Sequence, residues 1–170
     1  MHPYFHPLFV EFLVYFNDNQ DYFEGHEVLE EYWKSIPGYS KSHPLTAYIL
    51  LSTGMYHWRR GNLDGGSRTI SKALHRFISL PPVYDEYKDI VDFDQLISDV
   101  TFTKSEISNE QPFRAFEIMI QSQKLKDAVH RTKPNLDLLL SGSDDVIHKH
   151  MLRDRSDILK LRDEKKKSGR

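Results

Sequence analysis

The residues whose types and spacing suit chemistry lie in one stretch of the chain, from Asp21 to Trp33. This stretch holds four glutamates, one histidine and four aromatic residues within thirteen positions. Within it, His26, Glu27 and Glu30 follow the pattern His-Glu-x-x-Glu. Zinc peptidases carry His-Glu-x-x-His on a helix, where two histidines one turn apart hold the metal and the glutamate acts as the base. In this sequence a glutamate takes the place of the second histidine.

The pattern leaves two interpretations open, and the first is a metal site. A histidine and carboxylates can together ligate iron, manganese or zinc. His26, Glu27 and Glu30, joined by His57 from a later helix, would then serve a metal-dependent hydrolase or oxidoreductase. The support for this interpretation is the ligand types and their helical spacing alone.

The second interpretation is structural. Asp21 and Glu24 stand three residues apart, which is the spacing of a capping box at the start of a helix. Glu27 and Glu31 fall on the opposite side from the apolar residues and form a solvated acidic face. The histidine pairs with the glutamate one turn later, at the edge of the core. We favour this interpretation and predict that no metal or other cofactor is bound.

A second polar group, His57 with Arg59 and Arg60, lies at the predicted end of another helix. Charges that are buried or half-buried need partners, because an uncompensated buried charge costs several kcal/mol. Arginine also binds a carboxylate through two parallel hydrogen bonds. We therefore predict that Arg59 or Arg60 pairs with Glu27 or Glu30 in a structural clamp. The candidate polar cluster comprises Glu24, His26, Glu27, Glu30, Glu31, His57, Arg59 and Arg60.

The element that positions the first group is a helix predicted over 21–35. Pro37 and Gly38 follow it, and both residue types end helices. At 100° per residue, one side of this helix carries an apolar stripe typical of a buried face. The stripe consists of Tyr22, Gly25, Leu29, Tyr32, Trp33 and Ile36. Trp33 is predicted to lie in the middle of the buried face and in the core.

Three further helices are predicted in the first half of the chain, over 7–17, 44–60 and 63–79. Pro44 suits the first turn of its helix, and the apolar residues that follow it are spread almost all round the axis. A helix that is apolar on every side is a buried one, so 44–60 is predicted to be the central element. Gly61 suits the left-handed position just after its end.

The second half of the chain gives weaker signals. Residues 83–99 are rich in aspartate, and the pattern indicates a loop followed by a short helix from about Asp92. Residues 103–111 are polar and predicted to be a loop. The stretch 111–120 is ambiguous and is where a strand-like exception is most expected. A helix is predicted over 121–131.

The end of the chain predicts one more helix and a basic tail. Ser143 is a suitable N-cap for a last helix. Residues 165–170 are predicted to form a basic tail that is frayed rather than functional. The sparse apolar line of that helix is Ile147, Met151, Ile158 and Leu161. We predict a helical core domain over 1–82, a helical extension over 83–152 and a charged tail over 153–170.

Composition bounds the fold and the class of protein. The 170 residues are 39% hydrophobic and contain no cysteine, which excludes disulfides and thiolate metal sites. A reducing cytoplasm fits that composition. No run approaches the roughly 18 apolar residues that a membrane span needs. The sequence predicts an all-α, compact antiparallel helical bundle with a C-terminal helical extension.

Two motifs resemble a known family. The first motif is Tyr22-Phe23-Glu24-x-His26-Glu27-x-Leu29-Glu30-x-x-Trp33, and the second motif is Tyr56-His57-x-Arg59-Arg60-Gly61-Asn62. Together with a small residue at Gly66, where alanine would be expected, they resemble the bacterial and archaeal family called domain of unknown function three-zero-nine, over about residues 5–80. The resemblance implies a small all-helical bundle. It implies no activity, because none is established for that family.

Three classes of function are compatible with these features. The first is a non-enzymatic binding or self-association module, whose partner would be another protein or a second copy of the chain. The second is the metal-dependent enzyme described above, and the sequence leaves open whether the protein is an enzyme. The third, RNA binding through the arginines and the basic tail, is disfavoured because the formal net charge is −2. We favour the first class and expect neither a membrane nor nucleic acid as partner.

Overall fold

The computed structural model describes residues 2–149 and confirms the all-α fold. Within that range the only β-type pairing is an isolated antiparallel bridge between Val91 and Ile120. The α-helices are α1 (Pro7–Leu13), α2 (Tyr22–Ser35), α3 (Pro44–Arg59), α4 (Leu63–Ile78), α5 (Phe93–Ser108), α6 (Gln123–Thr132) and α7 (Asp144–Ile147). None of the described helices is both long enough and apolar enough to cross a membrane.

Helix α3 is the centre of the fold, as its apolar residues on every side predict. Twelve of its sixteen residues are buried. Helices α2 and α4 pack against it, α1 packs on α2, and α5 packs on α4. One continuous hydrophobic cluster runs through these helices. Gly61 follows α3 with a positive φ of 89°, in the left-handed region that favours glycine.

The turn into α2 differs in detail from the predicted capping box. The first helix continues past α1 as a π-helix over Val14–Asn19, after which Gln20 takes a left-handed conformation. The Asp21 carboxylate accepts a hydrogen bond from the Glu24 backbone N–H at 3.1 Å, as predicted. The reciprocal bond does not form, because the Asp21 backbone N–H donates to Tyr15 O at 2.9 Å. Only half of the capping box is present.

Trp33 does not lie in the middle of the buried face, so that prediction is wrong. Its side chain is only partly buried, and its indole N–H donates to Ser40 O at 3.0 Å near the surface. Val28, which is not part of the predicted stripe, is buried instead. Because both α1 and α3 cover α2, its buried side is wider than one stripe and is rotated toward Val28. This rotation leaves Trp33 at the edge of the core.

Helix α5 is the second correction. The loop predicted over 103–111 is helical as far as Ser108. Thr103 and Ile107 are buried and continue the spacing of Leu96 and Val100, so the four residues form one side of a long helix. The polar character of the threonine concealed this periodicity in the sequence.

The stretch 111–120 forms no helix and no named strand, and its strand-like character is limited to the isolated bridge at Ile120. Residues 111–119 lie outside any helix or strand, and the bridge to Val91 lies at the end of the stretch. Asn17 fixes this segment: its side-chain nitrogen donates to Ile118 O at 3.0 Å, and Ile118 N–H donates to its side-chain oxygen at 2.8 Å. An amide side chain thus replaces a neighbouring strand as the hydrogen-bonding partner.

The last predicted helix is only partly within the described residues. Helix α7 begins after Ser143 as predicted, but the Ser143 side chain makes no capping hydrogen bond. Met151, Ile158, Leu161 and the basic tail lie outside residues 2–149. The division of the chain into 1–82, 83–152 and 153–170 stays a prediction.

Helices α3 and α4 lie very close together at Gly54. A Cβ atom added there would lie 2.6 Å from Ile70 Cδ1 and 3.2 Å from the Ile70 backbone nitrogen. The first contact could be relieved by rotating the isoleucine, whereas the second requires α4 itself to move. The absence of a side chain at this position therefore sets the distance between the two helices.

Gly54→Ala is expected to destabilise the protein. Alanine gains about 1 kcal/mol in helix propensity over glycine, but overpacking against α4 costs about 1–3 kcal/mol, and the backbone contact places the cost at the upper end. Urea unfolding measures the difference. Ser105→Ala is the control, because it also raises helix propensity but lies at an exposed position of α5, where the new side chain meets no neighbouring helix. An equal gain in stability for both variants would contradict the close approach.

The side chain of His43 is buried at the start of α3. Its Nδ1 accepts a hydrogen bond from the Leu45 N–H at 3.1 Å, so the proton of the neutral ring lies on Nε2. The Nε2–H then donates to the Tyr87 hydroxyl at 3.2 Å. Burial lowers the pKa of His43 from 6.5 to about 4, because the positive form loses its hydration.

His43 should make stability depend on pH. Between pH 6.5 and pH 4 the unfolded chain binds a proton that the folded protein does not, so the free energy of unfolding falls as the pH falls. The loss expected from this residue is about 2 kcal/mol at about pH 5. Urea unfolding at about pH 7 and about pH 5 should show this loss in the parent protein but not in His43→Asn, which keeps a capping side chain. The same pH dependence in both proteins would assign the effect to other groups.

Candidate functional site

The two sequence motifs meet in one cleft between α2 and α3. Phe23 and His26 come from the first motif, and Tyr56 and His57 come from the second. The α2–α3 cleft has a volume of about 190 Å³ and is lined by Phe23, His26, Thr53, Tyr56 and His57. The rings of Phe23 and Tyr56 lie 5.6 Å apart, inclined at 57°. Residues thirty positions apart in the sequence thus form the walls of a single small site.

His26 is held in one tautomer by its own helix. Its Nδ1 lies 3.0 Å from Phe23 O, and because a carbonyl oxygen only accepts, Nδ1 carries the proton. In the neutral ring Nε2 is then an acceptor. Nε2 lies 3.7 Å from Glu30 Oε1, and Nδ1 lies 3.8 Å from Glu27 Oε1. The histidine–glutamate proximity expected from the sequence is present.

His57 has the opposite arrangement. Its Nδ1 lies 3.3 Å from Arg60 Nη2 and 3.4 Å from Asn62 Nδ2. Both neighbours only donate, so Nδ1 is the unprotonated nitrogen of the neutral ring. The two imidazoles of the α2–α3 cleft therefore hold their protons on different nitrogens, each fixed by a neighbour of its own helix end.

Arg59 does not clamp the glutamates of α2. None of the three guanidinium nitrogens of Arg59 has a hydrogen-bond partner among the described residues, so the predicted pair with Glu27 or Glu30 is wrong for this arginine. Arg59 instead lies over the Tyr22 ring, 4.8 Å from its centre. Arg60 lies 5.4 Å from the centre of the Tyr56 ring. The glutamates project outward, with side chains 44% and 36% exposed, while Arg59 turns into the core.

The acidic face of α2 is solvated, as the structural interpretation predicts. Glu30 has a basic neighbour one turn later, with 3.9 Å between its Oε2 and Lys34 Nζ. Glu31 is exposed. A shallow surface groove on this face is lined by Glu24, Glu27, Val28, Glu30, Glu31 and Lys34.

Sequence reasoning missed the residue that compensates the start of α2. Lys149, just after α7, forms an ion pair with the Asp21 carboxylate, and its Nζ lies 3.3 Å from Glu24 Oε2. The lysine side chain is only 9% exposed and that of Asp21 only 2%. No local pattern could have indicated this contact, because the partners lie 128 residues apart.

The geometry gives no support to the alternative metal site. Across residues 2–149, no group of three histidine, aspartate or glutamate side chains is arranged to hold a metal ion. The set His26, Glu27 and Glu30 shares one helix turn, but the two carboxylates lie near different nitrogens of the imidazole. The function of the polar cluster as a whole stays a prediction.

Comparisons with known proteins confirm the resemblance. Residues 9–69 match the family model described as domain of unknown function (DUF309), and both motifs lie inside that range. The Uncharacterized protein YpuF of Bacillus subtilis (strain 168) is 29% identical over 171 residues, covering 95% of this chain and 97% of its own length. No solved structure matches the chain. Neither name states an activity.

The buried ion pair at the start of α2 can be tested by a double-mutant cycle. Asp21→Asn keeps the helix cap but removes the charge, and Lys149→Met keeps the length of the side chain. Each single change leaves a buried charge with fewer partners and is expected to cost about 3 kcal/mol. The double variant should be more stable than the sum of the two losses predicts, by at least about 1 kcal/mol.

The control is the same cycle with Glu27→Gln and Arg60→Met. The structure places Glu27 beside His26 and Arg60 beside Tyr56 and His57, so coupling between the two should be near zero. Additive losses in the Asp21 and Lys149 cycle would contradict the ion pair, and strong coupling in the control would restore the clamp predicted from the sequence.

Proposed function

We propose that this chain, whose residues 9–69 match a family of unknown function, is a non-enzymatic binding module that accepts one ring-sized side chain of a protein partner in the α2–α3 cleft. The observation that carries the proposal is the convergence of both motifs on that cleft. The motifs are the most distinctive parts of the sequence, and their residues supply four of the five lining side chains.

The size of the cleft limits the ligand to a compact group. Its volume of about 190 Å³ is smaller than the roughly 300–1,000 Å³ of pockets that hold drug-sized molecules. Pockets at protein interfaces typically receive a single anchoring side chain, most often tryptophan, tyrosine or arginine. One side chain with a six-membered ring fits this volume.

The chemistry of the walls favours tyrosine. The rings of Phe23 and Tyr56 and the methyl group of Thr53 provide apolar contact for an aromatic body. His26 Nε2 can accept a hydrogen bond from a hydroxyl group, because the proton of the neutral ring lies on Nδ1, which donates it to Phe23 O. The nearby carboxylates of Glu27 and Glu30 also favour a donor over an anionic group.

The hydroxyl group of Thr53 does not have the arrangement of an activated nucleophile. Thr53 Oγ1 donates its hydrogen to Ile49 O at 2.9 Å, within its own helix. Nucleophilic catalysis would instead place the hydroxyl hydrogen on an imidazole base. For Thr53, this arrangement supports binding rather than covalent chemistry at the α2–α3 cleft.

Binding of p-cresol, the side-chain analogue of tyrosine, tests the proposal. Titration should shift the backbone amide NMR signals of Phe23, Thr53 and Tyr56 in a saturable way. Toluene has the same ring and methyl group but no hydroxyl, and it should bind several-fold more weakly, since one hydrogen bond contributes about 1 kcal/mol.

Thr53→Phe should abolish binding by filling the cleft. The matched control is Thr101→Phe, an exposed position of α5 whose hydroxyl makes the same type of bond, to Ile97 O at 2.7 Å. Circular dichroism checks that both variants fold. Unsaturable shifts, or equal binding by the parent protein and Thr53→Phe, would contradict the proposal.

A further inference from the structure

Arg59, whose guanidinium nitrogens are buried and have no hydrogen-bonding partner among the described residues, does not line the α2–α3 cleft. Arg59 is the last residue of α3. Its Nε, Nη1 and Nη2 atoms are sealed from solvent, and no acceptor from the described residues bonds to any of them. The guanidinium carbon lies 4.8 Å from the centre of the Tyr22 ring and 5.6 Å from that of Phe113.

Tyr22 beside it has the same deficiency. Its side chain is fully buried, and its hydroxyl also lacks a partner among the described residues. Burial raises the pKa of Tyr22, and Arg59 opposes that rise only in part. The phenol therefore keeps its hydrogen and is a donor. Two neighbouring residues thus present unused donors within one buried region.

The aromatic rings compensate the charge of Arg59 only in part. A cation over an aromatic ring gains about 2 kcal/mol when desolvated, whereas the N–H groups still need acceptors. Burial lowers the pKa of Arg59, but a guanidinium stays protonated in proteins. Asp21, a carboxylate whose charge favours the positive form of Arg59, is engaged by Lys149 and by the Glu24 N–H.

We propose that Arg59 and the Tyr22 hydroxyl form a binding site for a carboxylate group. The guanidinium fork matches the two oxygens of a carboxylate through parallel hydrogen bonds, and the phenol adds a third donor. One guanidinium balances one negative charge. A phosphate, which carries more charge near neutral pH, would leave an uncompensated charge among aromatic rings.

The segment that contains Phe113 provides the route of entry. It covers Arg59 from one side. In the described part of the chain, residues 112–117 make no backbone–backbone hydrogen bond, so this segment can move without breaking a helix or a sheet. Its anchor, Asn17, holds the chain only from Ile118 onward. Opening there exposes the guanidinium to a small ligand.

Thermal unfolding in acetate tests the proposal. Acetate replaces chloride at constant ionic strength, with acetamide as the neutral analogue and inorganic phosphate as the competing oxyanion. A ligand that binds only the folded protein raises the melting temperature with its concentration. Acetate is expected to raise it, and acetamide is expected to leave it at the value in chloride. Phosphate stabilises folded proteins generally, so any rise that it causes should be the same in the parent protein and in Arg59→Met.

Two variants assign the effect to the site. Arg59→Met should abolish the response to acetate, and Tyr22→Phe, which keeps the ring, should raise the dissociation constant for acetate about tenfold, the effect of losing one hydrogen bond to a charged group. Arg76→Met is the control, since that arginine donates to Lys41 O on the surface and its loss should leave the response unchanged. In the parent protein, acetate should also shift the side-chain Nε–H NMR signal of Arg59, a readout that does not depend on any variant folding.

Three results would overturn the proposal. Equal stabilisation by acetate and acetamide would show that no charge is recognised. An acetate response that survives Arg59→Met would place the site elsewhere. Stabilisation by phosphate but not by acetate, lost in Arg59→Met, would assign the wrong class of ligand.

Discussion

The fold depends on the complete burial of α3. A helix that is apolar on every side has no face that water can solvate, so other helices must cover it all round. Helices α2 and α4 do so directly, and the close contact at Gly54 allows α4 to lie almost against the backbone of α3. The positions of both motifs follow from this requirement, because one motif lies on α2 and the other lies at the end of α3.

The sequence predicted what local periodicity and capping determine. Helices α2, α3 and α4 begin and end within about two residues of their predicted bounds, because strong caps and a proline mark them. The misses have tertiary causes. Trp33 lies at the edge of the core, and not in its middle, because two helices cover α2. The end of α5 was not predicted because Thr103, a polar residue type, is buried there.

The candidate site was predictable in its residues but not in its contacts. His26 and His57 were identified from their types and spacing, and the structure brings both to one cleft. The expected pairing of arginine with glutamate failed for Arg59, since helical spacing gives the side of a helix but not the direction in which a long side chain extends. A guanidinium among aromatic rings has no signature in sequence, because its ring partners come from the start of α2 and from the non-helical segment after α5.

The contact of Lys149 with Asp21 has a consequence for the order of folding. Closing a loop of 128 residues is entropically expensive and comes late. During synthesis the helices that bury Asp21 leave the ribosome well before the lysine does, and domains begin to fold as they emerge. The nascent protein therefore passes through a stage in which its core can assemble around a carboxylate that still lacks its counter-ion. Emergence of Lys149 supplies that counter-ion, so the N-terminal bundle reaches its full stability only after a residue 128 positions beyond Asp21 has been synthesised.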